Sequence, residues 1–307
     1  MILTVTYNPA VDHTISIETA PRPGRVERAT ERRFDAGGKG INVSQYLAGL
    51  GVETVATGLL GGFTGEYVRD LLATEPFDAP FVEVADATRL NGTVHAADGE
   101  YKFNERGPAV EPDVVEDVLE VVTREAPDHV VVGGSLPPAL GPDAIDRIAR
   151  AGDWETTVDV GGEMLTELDA RYAACKPNRE ELAAATGREI DSVEAAIAAA
   201  ADFRQFGFDR VVVSLGADGA ALVSGDERLY APALETTVKD TVGAGDALLS
   251  GVLAGFERGE SPARALALGV AVASRAVATA GSGVPDLAGV DALQDRVGVV
   301  DRSADPG

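Results

Sequence analysis

The chain has 307 residues, of which 45% are hydrophobic, and it carries 50 acidic residues against 26 arginines and lysines, a formal charge of −24. This length allows one large domain or two smaller ones, and the hydrophobic fraction excludes a disordered chain. The negative charge argues against nonspecific binding to nucleic acid or to an anionic membrane, because repulsion acts first. The N-terminus shows no signal-peptide pattern, and the apolar runs are too short to cross a bilayer. We therefore expect a cytoplasmic protein.

Lysine is scarce among the basic residues. The four lysines are Lys39, Lys102, Lys176 and Lys239, and all other basic residues are arginines. An acid excess with few lysines resembles proteins from organisms that hold molar salt in the cytoplasm. There the Debye length falls to ~3 Å at about 1 M salt, which screens self-repulsion. We expect a halophilic source, and each remaining lysine becomes a candidate for a functional role because each lies in or near a motif.

Strands and helices alternate along the chain. Nearly continuous valine-rich runs between amphipathic helices are typical of a parallel sheet covered on both faces. In chain order, the predicted strands are 2–8, 53–60, 129–134, 156–161 and 210–216, and the predicted helices are 40–50, 64–72, 114–124, 142–150, 193–206 and one that begins near Asp246. The pattern predicts an α/β fold.

Two polar segments, 14–35 and 90–104, interrupt this order and alternate as short strands do. We interpret them as one small sheet that is inserted into the α/β domain and covers a cleft. The sequence contains no internal repeat and no obvious linker. We therefore expect a single domain over residues 1–307, with lid segments at about 12–35 and about 88–106.

The sharpest motif is a glycine turn, Gly243-Ala244-Gly245, that leads directly into a helix near Asp246. The unpaired amides and the dipole at a helix N-terminus form a site suited to phosphate. An aspartate at that point is placed to accept a proton from a hydroxyl group that attacks the phosphate. From the local sequence alone, a helix-capping role for Asp246 is equally compatible.

A second glycine loop, 35–42, opens a helix and presents Lys39 and Asn42. It is not a Walker A loop, because glycine follows Lys39 where serine or threonine is required, and it does not match the dinucleotide fingerprint. The loop is suited to hold sugar hydroxyls or a phosphate, although an ordinary tight turn has the same pattern.

Two further segments suggest contacts with a hydrated metal ion. Asn178 and Glu181 match a capping box, which explains them structurally, and the functional alternative places both near Mg²⁺ and a triphosphate. Asp159 and Glu163 have the same two interpretations, a metal contact or a plain loop. Cys175 is the single cysteine, so the chain cannot form an internal disulfide.

Taken together, these segments resemble the PfkB (ribokinase-like) family of carbohydrate kinases. The match runs from TYNPAVD (6–12) through AGGKGINV, GGSLPP (133–138), KPNREEL and VVVSLGADGA to DTVGAGD, and covers most of the chain in the family's order. NPA-x-D and the lysine of GGKGIN resemble the group of 1-phosphofructokinases and tagatose-6-phosphate kinases. The resemblance implies a ribokinase-like three-layer α/β/α domain with a mostly parallel sheet and a small β-sheet lid.

The resemblance also implies a role for each matching residue. Asp246 corresponds to the general base, and the N–H groups of Ala244, Gly245 and Asp246, in the catalytic turn that begins at Gly243, correspond to the anion hole. The implied substrate-binding residues are Asp12, Gly38, Lys39, Asn42, Arg89, Lys102 and Ser135. The implied nucleotide-binding residues are Lys176, Asn178, Ser214, Gly216 and Gly219. Glu181 corresponds to a water-mediated Mg²⁺ contact, and Asp240 to the border of a monovalent-cation site opposite residues 280–283.

The implied reaction is phosphoryl transfer from MgATP to fructose 1-phosphate, which gives fructose 1,6-bisphosphate, with K⁺ as a further candidate cofactor. A 6-phosphofructokinase and a tagatose-6-phosphate kinase stay open. Thr93 stands where relatives of the first type often have lysine, and Lys102 resembles an arginine of minor 6-phosphofructokinases. A catalytically silent sugar-phosphate sensor is the alternative of another class, against which the intact Asp246 argues. The lid also suggests a homodimer contact.

Overall fold

The computed structural model describes residues 1–225, 227–279 and 283–303, which form two β-sheets and the helices around the larger sheet. The described strands are β1 (Ile2–Thr6), β2 (Ala10–Ser16), β3 (Glu31–Gly37), β4 (Thr54–Gly61), β5 (Val82–Val84), β6 (Arg89–Ala96), β7 (Gly99–Asn104), β8 (His129–Gly133), β9 (Glu155–Asp159), β10 (Tyr172–Cys175), β11 (Phe208–Ser214), β12 (Ala220–Ser224), β13 (Glu227–Ala231) and β14 (Val300–Asp301).

The helices alternate with these strands through most of the chain. They are α1 (Lys39–Gly49), α2 (Gly62–Leu72), α3 (Val114–Glu125), α4 (Asp143–Arg150), α5 (Gly162–Leu165), α6 (Arg179–Thr186), α7 (Val193–Phe203), α8 (Ala244–Glu257), α9 (Pro262–Val277) and α10 (Val290–Gln294), with short 3₁₀ turns at Arg204–Phe206 and Gly216–Asp218. In the part of the chain that the structure describes, no helix combines the length and the apolar character needed to cross a bilayer.

The larger sheet has ten strands in the order β14-β13-β12-β11-β10-β9-β8-β1-β4-β5. Neighbouring strands from β11 to β5 are parallel, whereas β12, β13 and β14 pair in antiparallel fashion at one edge. The prediction of a mostly parallel sheet is confirmed. The sequence patterns do not predict the antiparallel edge, because β12, β13 and β14 are short and three helices, α8, α9 and α10, separate β14 from β13.

Side chains alternate between the two faces of this sheet. Val130 and Val132 belong to one hydrophobic cluster, which also contains residues of α3, α4, α6 and α7. Val131 belongs to the other, which contains residues of α1, α8, α9 and α10. Burial on both faces explains the uninterrupted valine runs, and the expected three-layer α/β/α arrangement is confirmed.

The smaller sheet has four strands in the order β3-β2-β6-β7 and corresponds to the two polar segments of the sequence. Its strands lie within 10–37 and 89–104, with residues 17–30 outside any strand between β2 and β3. Val11 and Ala36 lie on one face near the base of this sheet and pack with Val68 of α2. Asp12 and Asn91 are register partners on the opposite face, which is polar.

The carboxyl ends of β1, β8, β9, β10 and β11 lie at the same edge of the larger sheet, because these strands are parallel neighbours. Loops at such an edge are the usual place for ligands in open α/β sheets. The segments that follow these strands include the motifs NPAVD, GGSLPP, DVGGE, KPNREEL and SLGADG. The topology therefore gathers motifs that are far apart in the sequence.

Candidate active site

Asp246 lies on the first turn of α8, directly after the glycine turn. Gly243 is the N-cap residue and has a φ of 75°, a left-handed conformation that favours glycine. α8 therefore begins at Ala244, two residues before the start that the apolar pattern predicts. Asp246 is 7% exposed, and its side chain makes no capping hydrogen bond. The capping interpretation of Asp246 is wrong, because Gly243 occupies the N-cap position.

The carboxylate of Asp246 instead contacts α1. Nδ2 of Asn42 donates a hydrogen bond of 2.7 Å to Oδ2 of Asp246. Burial raises the pKa of Asp246 to about 6, and the charge of Asp159 adds to this rise. The hydrogen bond from Asn42 and the ammonium groups of Lys39 and Lys176 act in the opposite direction. Such a carboxylate is ionised at neutral pH and is a stronger base than an ordinary aspartate, which suits proton transfer from an alcohol.

The amides at the start of α8 can bind an anion. Within the described residues, the N–H groups of Gly245 and Asp246 have no acceptor. The N–H group of Ala244 makes a long contact of 3.3 Å with the carbonyl oxygen of Thr241. Unpaired amides at the positive end of a helix attract an anion such as a phosphate group. The glycine turn therefore has the donors that the sequence motif predicts.

Lys176 borders this anion site. A Cβ atom built on Gly245 would lie 3.2 Å from Nζ of Lys176, so the ammonium group lies against the first turn of α8. The Lys176 side chain is only 4% exposed. Its full positive charge adds to the partial charges of the helix amides at one point.

Two lysines share one buried carboxylate beside Asp246. Nζ of Lys39 donates to Oδ1 of Asp159 at 2.7 Å, and Nζ of Lys176 lies 3.2 Å from Oδ2. Burial opposes the ionisation of Asp159, but Lys176 and Lys39 outweigh it and lower the pKa of this carboxyl. Burial likewise works to lower the pKa of Lys39, and Asp159 raises it above its ordinary value. Asp159 and Lys39 are therefore both ionised at neutral pH.

The second glycine loop lies against the GGSLPP segment. Gly38 is the N-cap residue of α1 and has a φ of 138°. A Cβ atom on Gly133 would lie 3.1 Å from Cβ of Lys39, so the two segments pack closely at this point. Nδ2 of Asn8 donates to Oγ of Ser135 at 3.1 Å. The predicted substrate residues of these two segments therefore lie at the same sheet edge as Asp246.

Asp12 and Arg89 lie where the smaller sheet joins the larger one. Nδ2 of Asn91 donates to Oδ1 of Asp12 at 2.9 Å across β2 and β6. Burial raises the pKa of Asp12, although Asn91 and Arg89 act against this rise. Nε of Arg89 donates to the carbonyl oxygen of Asn8 at 3.2 Å, just after β1. These predicted substrate residues therefore connect the lid to the sheet edge.

Lys102 lies away from these contacts, on the outer strand of the smaller sheet. Its ammonium group pairs with Glu100 at 2.9 Å, and its side chain is 49% exposed. The register places Lys102 directly opposite Thr93, the position at which the sequence resemblance leads us to expect a lysine. Lys102 is thus able to bring a positive charge to nearly the same point of the lid from the neighbouring strand.

The predicted nucleotide residues lie one strand further along the edge. Oδ1 of Asn178 accepts from the N–H of Glu181 at 2.8 Å, and Oε2 of Glu181 accepts from the N–H of Asn178 at 2.9 Å. This is the capping box that the sequence predicts. Ser214 forms a β-bridge with Asn178, and Gly216 begins the next turn. Gly219 has a φ of 97°, and its Cβ atom would clash with the backbone of β13.

Asp240 precedes the glycine turn. Its Oδ1 atom accepts a hydrogen bond of 2.9 Å from the N–H of Val242, and its own N–H donates to the carbonyl oxygen of Val277 at 3.3 Å. The segment expected opposite Asp240 is 280–283, of which residues 280–282 lie outside the described part of the chain.

Asp159 and Asn8 are central to the site, but the sequence gives little indication of their roles. Asp159 was equally compatible with a loop role, and its link to two lysines depends on neighbouring strands that are far apart in the chain. Asn8 belongs to the NPAVD motif, yet no local pattern shows that its side chain reaches Ser135. One signal could have identified Asp159. It is the last residue of a buried strand, and the neighbouring strand in the sheet ends just before Lys176.

The fold and this arrangement of an aspartate, a glycine-rich helix start and two lysines define a kinase that acts on carbohydrates. A family model described as pfkB family carbohydrate kinase matches residues 5–287. The chain belongs to this family, and the resemblance found in the sequence is confirmed. Its enzyme class is that of the sugar kinases, which transfer a phosphoryl group to an alcohol.

Similar proteins support this assignment. The chain is 53% identical to a 1-phosphofructokinase of Haloferax volcanii over 287 residues, which cover 94% of each chain. It is 34% identical to a 1-phosphofructokinase of Bacillus subtilis, with 88% of this chain and 90% of that protein covered. The crystal structure of phosphofructokinase-2 from Escherichia coli in complex with potassium superposes with a TM-score of 0.89 at 30% identity, covering 96% of this chain and 98% of that chain.

Proposed function

We propose that this protein transfers a phosphoryl group from ATP to fructose 1-phosphate and so forms fructose 1,6-bisphosphate. The observation that carries the proposal is the buried Asp246 beside the amides of α8 and the two lysines of Asp159. In-line phosphoryl transfer needs a base, an anion site and positive charge, and this cluster supplies all three. The identity to the Haloferax volcanii protein supports fructose 1-phosphate as the substrate.

Asp246 is the general base in this proposal. Asn42 fixes Oδ2 of the carboxylate, which leaves Oδ1 to take the proton of the sugar hydroxyl. As the proton moves to Asp246, the hydroxyl oxygen forms a bond to the γ-phosphorus of ATP, and the bond to the departing ADP oxygen breaks. A pKa of about 6 keeps Asp246 ionised before the reaction and able to accept that proton.

The start of α8 stabilises the transferring group. The amides of Gly245 and Asp246, which have no acceptor in the described residues, donate to the oxygens of the γ-phosphoryl group. The ammonium group of Lys176 lies against Gly245 and neutralises part of the charge on these oxygens. Donors that are already in place cost no reorganisation when charge develops in the transition state.

The sugar phosphate binds between α1 and the lid. We assign its phosphate group to Lys39, Arg89 and Lys102, because these are basic residues of the substrate loop and of the smaller sheet. Asp12, Asn42, Gly38 and Ser135 are the remaining substrate-binding positions. Asp12 is half-buried and held by Asn91, so its carboxylate is well placed to accept a hydrogen bond from a sugar hydroxyl.

The nucleotide binds along the ends of β10 and β11, next to Lys176. Asn178, Ser214, Gly216 and Gly219 are the proposed contacts. Within the described residues, no cluster of three or more His, Cys, Asp or Glu side chains is placed to hold a metal ion. This fits Mg²⁺ that is bound mainly by ATP phosphates and water, with Glu181 as an outer contact. When bound, Mg²⁺ supplies charge neutralisation on the phosphates.

K⁺ is a further candidate cofactor. Asp240 is the described residue proposed to border its site, and a structure of the Escherichia coli relative contains potassium.

The acidic composition and the Haloferax volcanii relative also support a halophilic source and a salt-rich cytoplasm as the location. We further propose one kinase domain with a lid, and a homodimer formed through that lid.

A 6-phosphofructokinase is the second candidate. The observation that favours it is Lys102, which lies opposite Thr93 and changes the source of positive charge on the lid. A structure of Escherichia coli phosphofructokinase-2 in complex with fructose-6-phosphate is 28% identical, with a TM-score of 0.87. Tagatose 6-phosphate is a third sugar to test, and a silent sensor is the alternative without catalysis.

Product analysis by phosphorus NMR tests the proposal. With MgATP and fructose 1-phosphate, we expect equal amounts of ADP and fructose 1,6-bisphosphate to appear. ATP that stays intact while fructose 1-phosphate binds would favour the sensor. ADP that appears without a new sugar phosphate would show ATP hydrolysis and contradict the assigned acceptor.

A further inference from the structure

Strand register brings three chemically active segments to Asp159. Asp159 is the last residue of β9, which lies between β8 and β10 in the sheet. Its register partner on β8 is Gly133, which packs against Lys39. On the other side, the N–H of Lys176 donates to the carbonyl oxygen of Val158 at 3.1 Å. Asp159 therefore lies between the lysine of the substrate loop and the lysine of the nucleotide side.

We propose that Asp159 is a positioning residue whose buried carboxylate holds the ammonium groups of Lys39 and Lys176 between the two substrates. This inference rests on the proposed function, because it assigns the two lysines to the two phosphate-bearing substrates. Asp159 acts through its neighbours in this account.

Two lysines beside one helix start repel each other, and a shared carboxylate removes that repulsion. Each ammonium group has three donors; Lys39 uses one of them in its hydrogen bond to Asp159, and Lys176 contacts Asp159 as an ion pair at 3.2 Å. The remaining donors of Lys39 and Lys176 are available to phosphate oxygens, so Asp159 orients the lysines without occupying them. An amide at this position carries no charge and replaces one of the two acceptor oxygens by an NH₂ donor, so it cannot neutralise the lysines and offers no acceptor to the one that faces the NH₂ group.

The charge of Asp159 also reaches Asp246. The charged or titratable groups around Asp246 are Asp159, Lys39 and Lys176, with the phenol of Tyr46 on α1 nearby. Removal of the Asp159 charge takes away a repulsion that favours the protonated form of Asp246. It also leaves both lysines without a counter-ion, which strengthens their pull on the Asp246 carboxylate. Both effects lower the pKa of Asp246.

The first test is Asp159→Asn, with the pH profile of kcat for fructose 1-phosphate and MgATP. We expect kcat to fall about a hundredfold, because a weaker base and misplaced lysines both slow the transfer. We expect the acidic limb to move down by about one pH unit. The phosphate group of the sugar also titrates at about pH 6. This titration affects the wild-type enzyme and Asp159→Asn equally, so it does not contribute to the difference between their pH profiles.

The control is Asp146→Asn, another buried aspartate. Asp146 accepts hydrogen bonds from the N–H groups of Asp169 and Ala170 on the opposite face of the sheet. We expect this variant to lose stability while its acidic limb stays at the wild-type pH. A purely structural role for Asp159 would give the same behaviour in Asp159→Asn and would contradict the inference.

Lys39→Gln gives an opposite shift and remains informative if Asp159→Asn does not fold. It removes a positive charge that lowers the pKa of Asp246, so the acidic limb should move to higher pH. An acidic limb at the wild-type pH in Lys39→Gln would overturn the proposed electrostatic link.

Full recovery of the activity of Asp159→Asn at high Mg²⁺ would instead assign Asp159 to metal binding and would also overturn the inference. A wild-type enzyme that does not turn over fructose 1-phosphate contradicts the proposed function itself.

Discussion

Asn42 and Asp246 are 204 positions apart in the chain, yet the amide of Asn42 donates a 2.7 Å hydrogen bond to the carboxylate of Asp246. The bond joins the first turn of α1, which follows the substrate loop, to the first turn of α8, which forms the anion site. Because both helices begin at this edge of the sheet, the base, the sugar side and the phosphoryl site are fixed relative to one another. The predictions below depend on this geometry.

Asp246→Asn should abolish most of the turnover while sparing substrate binding. The amide retains the shape of the carboxylate but cannot take the proton, so kcat should fall by about a thousandfold. KM for both substrates should stay within about threefold, since the phosphate contacts remain. Steady-state kinetics measure both quantities, with Asp117→Asn on the exposed face of α3 as the control. A kcat within about tenfold of wild type would remove Asp246 from the role of base.

The same substitution should stabilise the protein at neutral pH. Burial raises the pKa of Asp246 to about 6, above the value in the unfolded chain, so the native state binds the extra proton. In the wild-type protein, the contribution of Asp246 to the free energy of unfolding is fully present below the pKa of an aspartate in the unfolded chain. This contribution is lost as the pH rises through about 6, the pKa of Asp246 in the folded protein. Asp246→Asn has no such loss and should gain up to about 3 kcal/mol at pH near 8, with little difference near pH 4.

Denaturant unfolding at both pH values, with free protein and without substrates, measures this difference. Equal stability of the two proteins at the higher pH would show that the buried carboxylate carries no electrostatic cost. Such a result would conflict with a raised pKa for Asp246.

Asn42→Ala should move the acidic limb of the rate profile to higher pH. The hydrogen bond from Asn42 favours the ionised form of Asp246, so its loss raises the pKa of Asp246 further. The measurement is the pH dependence of kcat relative to wild type. Gln45→Ala is a matched control on the same helix, because the Gln45 side chain donates to Glu75 instead. A downward shift, or no shift, in Asn42→Ala would contradict the proposed role of this hydrogen bond.

Gly245→Ala should reduce activity without reducing stability. The new methyl group would lie 3.2 Å from Nζ of Lys176 and should displace the ammonium group from the anion site. Alanine is a better helix former than glycine, so α8 itself should not be weakened. We expect kcat/KM for MgATP to fall by at least about tenfold with an unchanged melting temperature. Gly161→Ala is the control, since a Cβ atom there meets nothing within 4 Å.

Salt should stabilise the protein strongly. A formal charge of −24 makes the compact state repel itself in dilute buffer, and molar KCl screens this repulsion. Thermal melts should therefore show a melting temperature at least about 10 °C higher at about 2 M KCl than at about 0.05 M KCl. Equal melting temperatures in the two buffers would count against a halophilic protein.

Much of the fold follows from local sequence patterns. The valine runs predict the buried parallel strands because burial on both faces leaves no room for polar alternation. The polar alternation of 14–35 and 90–104 likewise predicts the smaller sheet, which is exposed on one face. The antiparallel edge does not follow, since β12 to β14 are short and lack a distinctive pattern.

The site is only partly visible in the sequence. The glycine turn and Asp246 form a continuous motif whose chemistry follows from helix geometry. The bond from Asn42 to Asp246 and the contact of Asp159 with two lysines depend on strand order, which local patterns do not define. The capping interpretation of Asp246 fails for a local reason, because the helix begins two residues earlier and Gly243 is its N-cap residue.

The most direct test is an ADP-release assay in molar KCl with MgATP, comparing fructose 1-phosphate, fructose 6-phosphate, tagatose 6-phosphate and fructose by kcat/KM. The account predicts that fructose 1-phosphate is preferred by about a hundredfold or more, about 2.7 kcal/mol in transition-state binding. Equal or better use of fructose 6-phosphate would contradict the assigned substrate and would indicate that Thr93 and Lys102 define a different phosphate pocket.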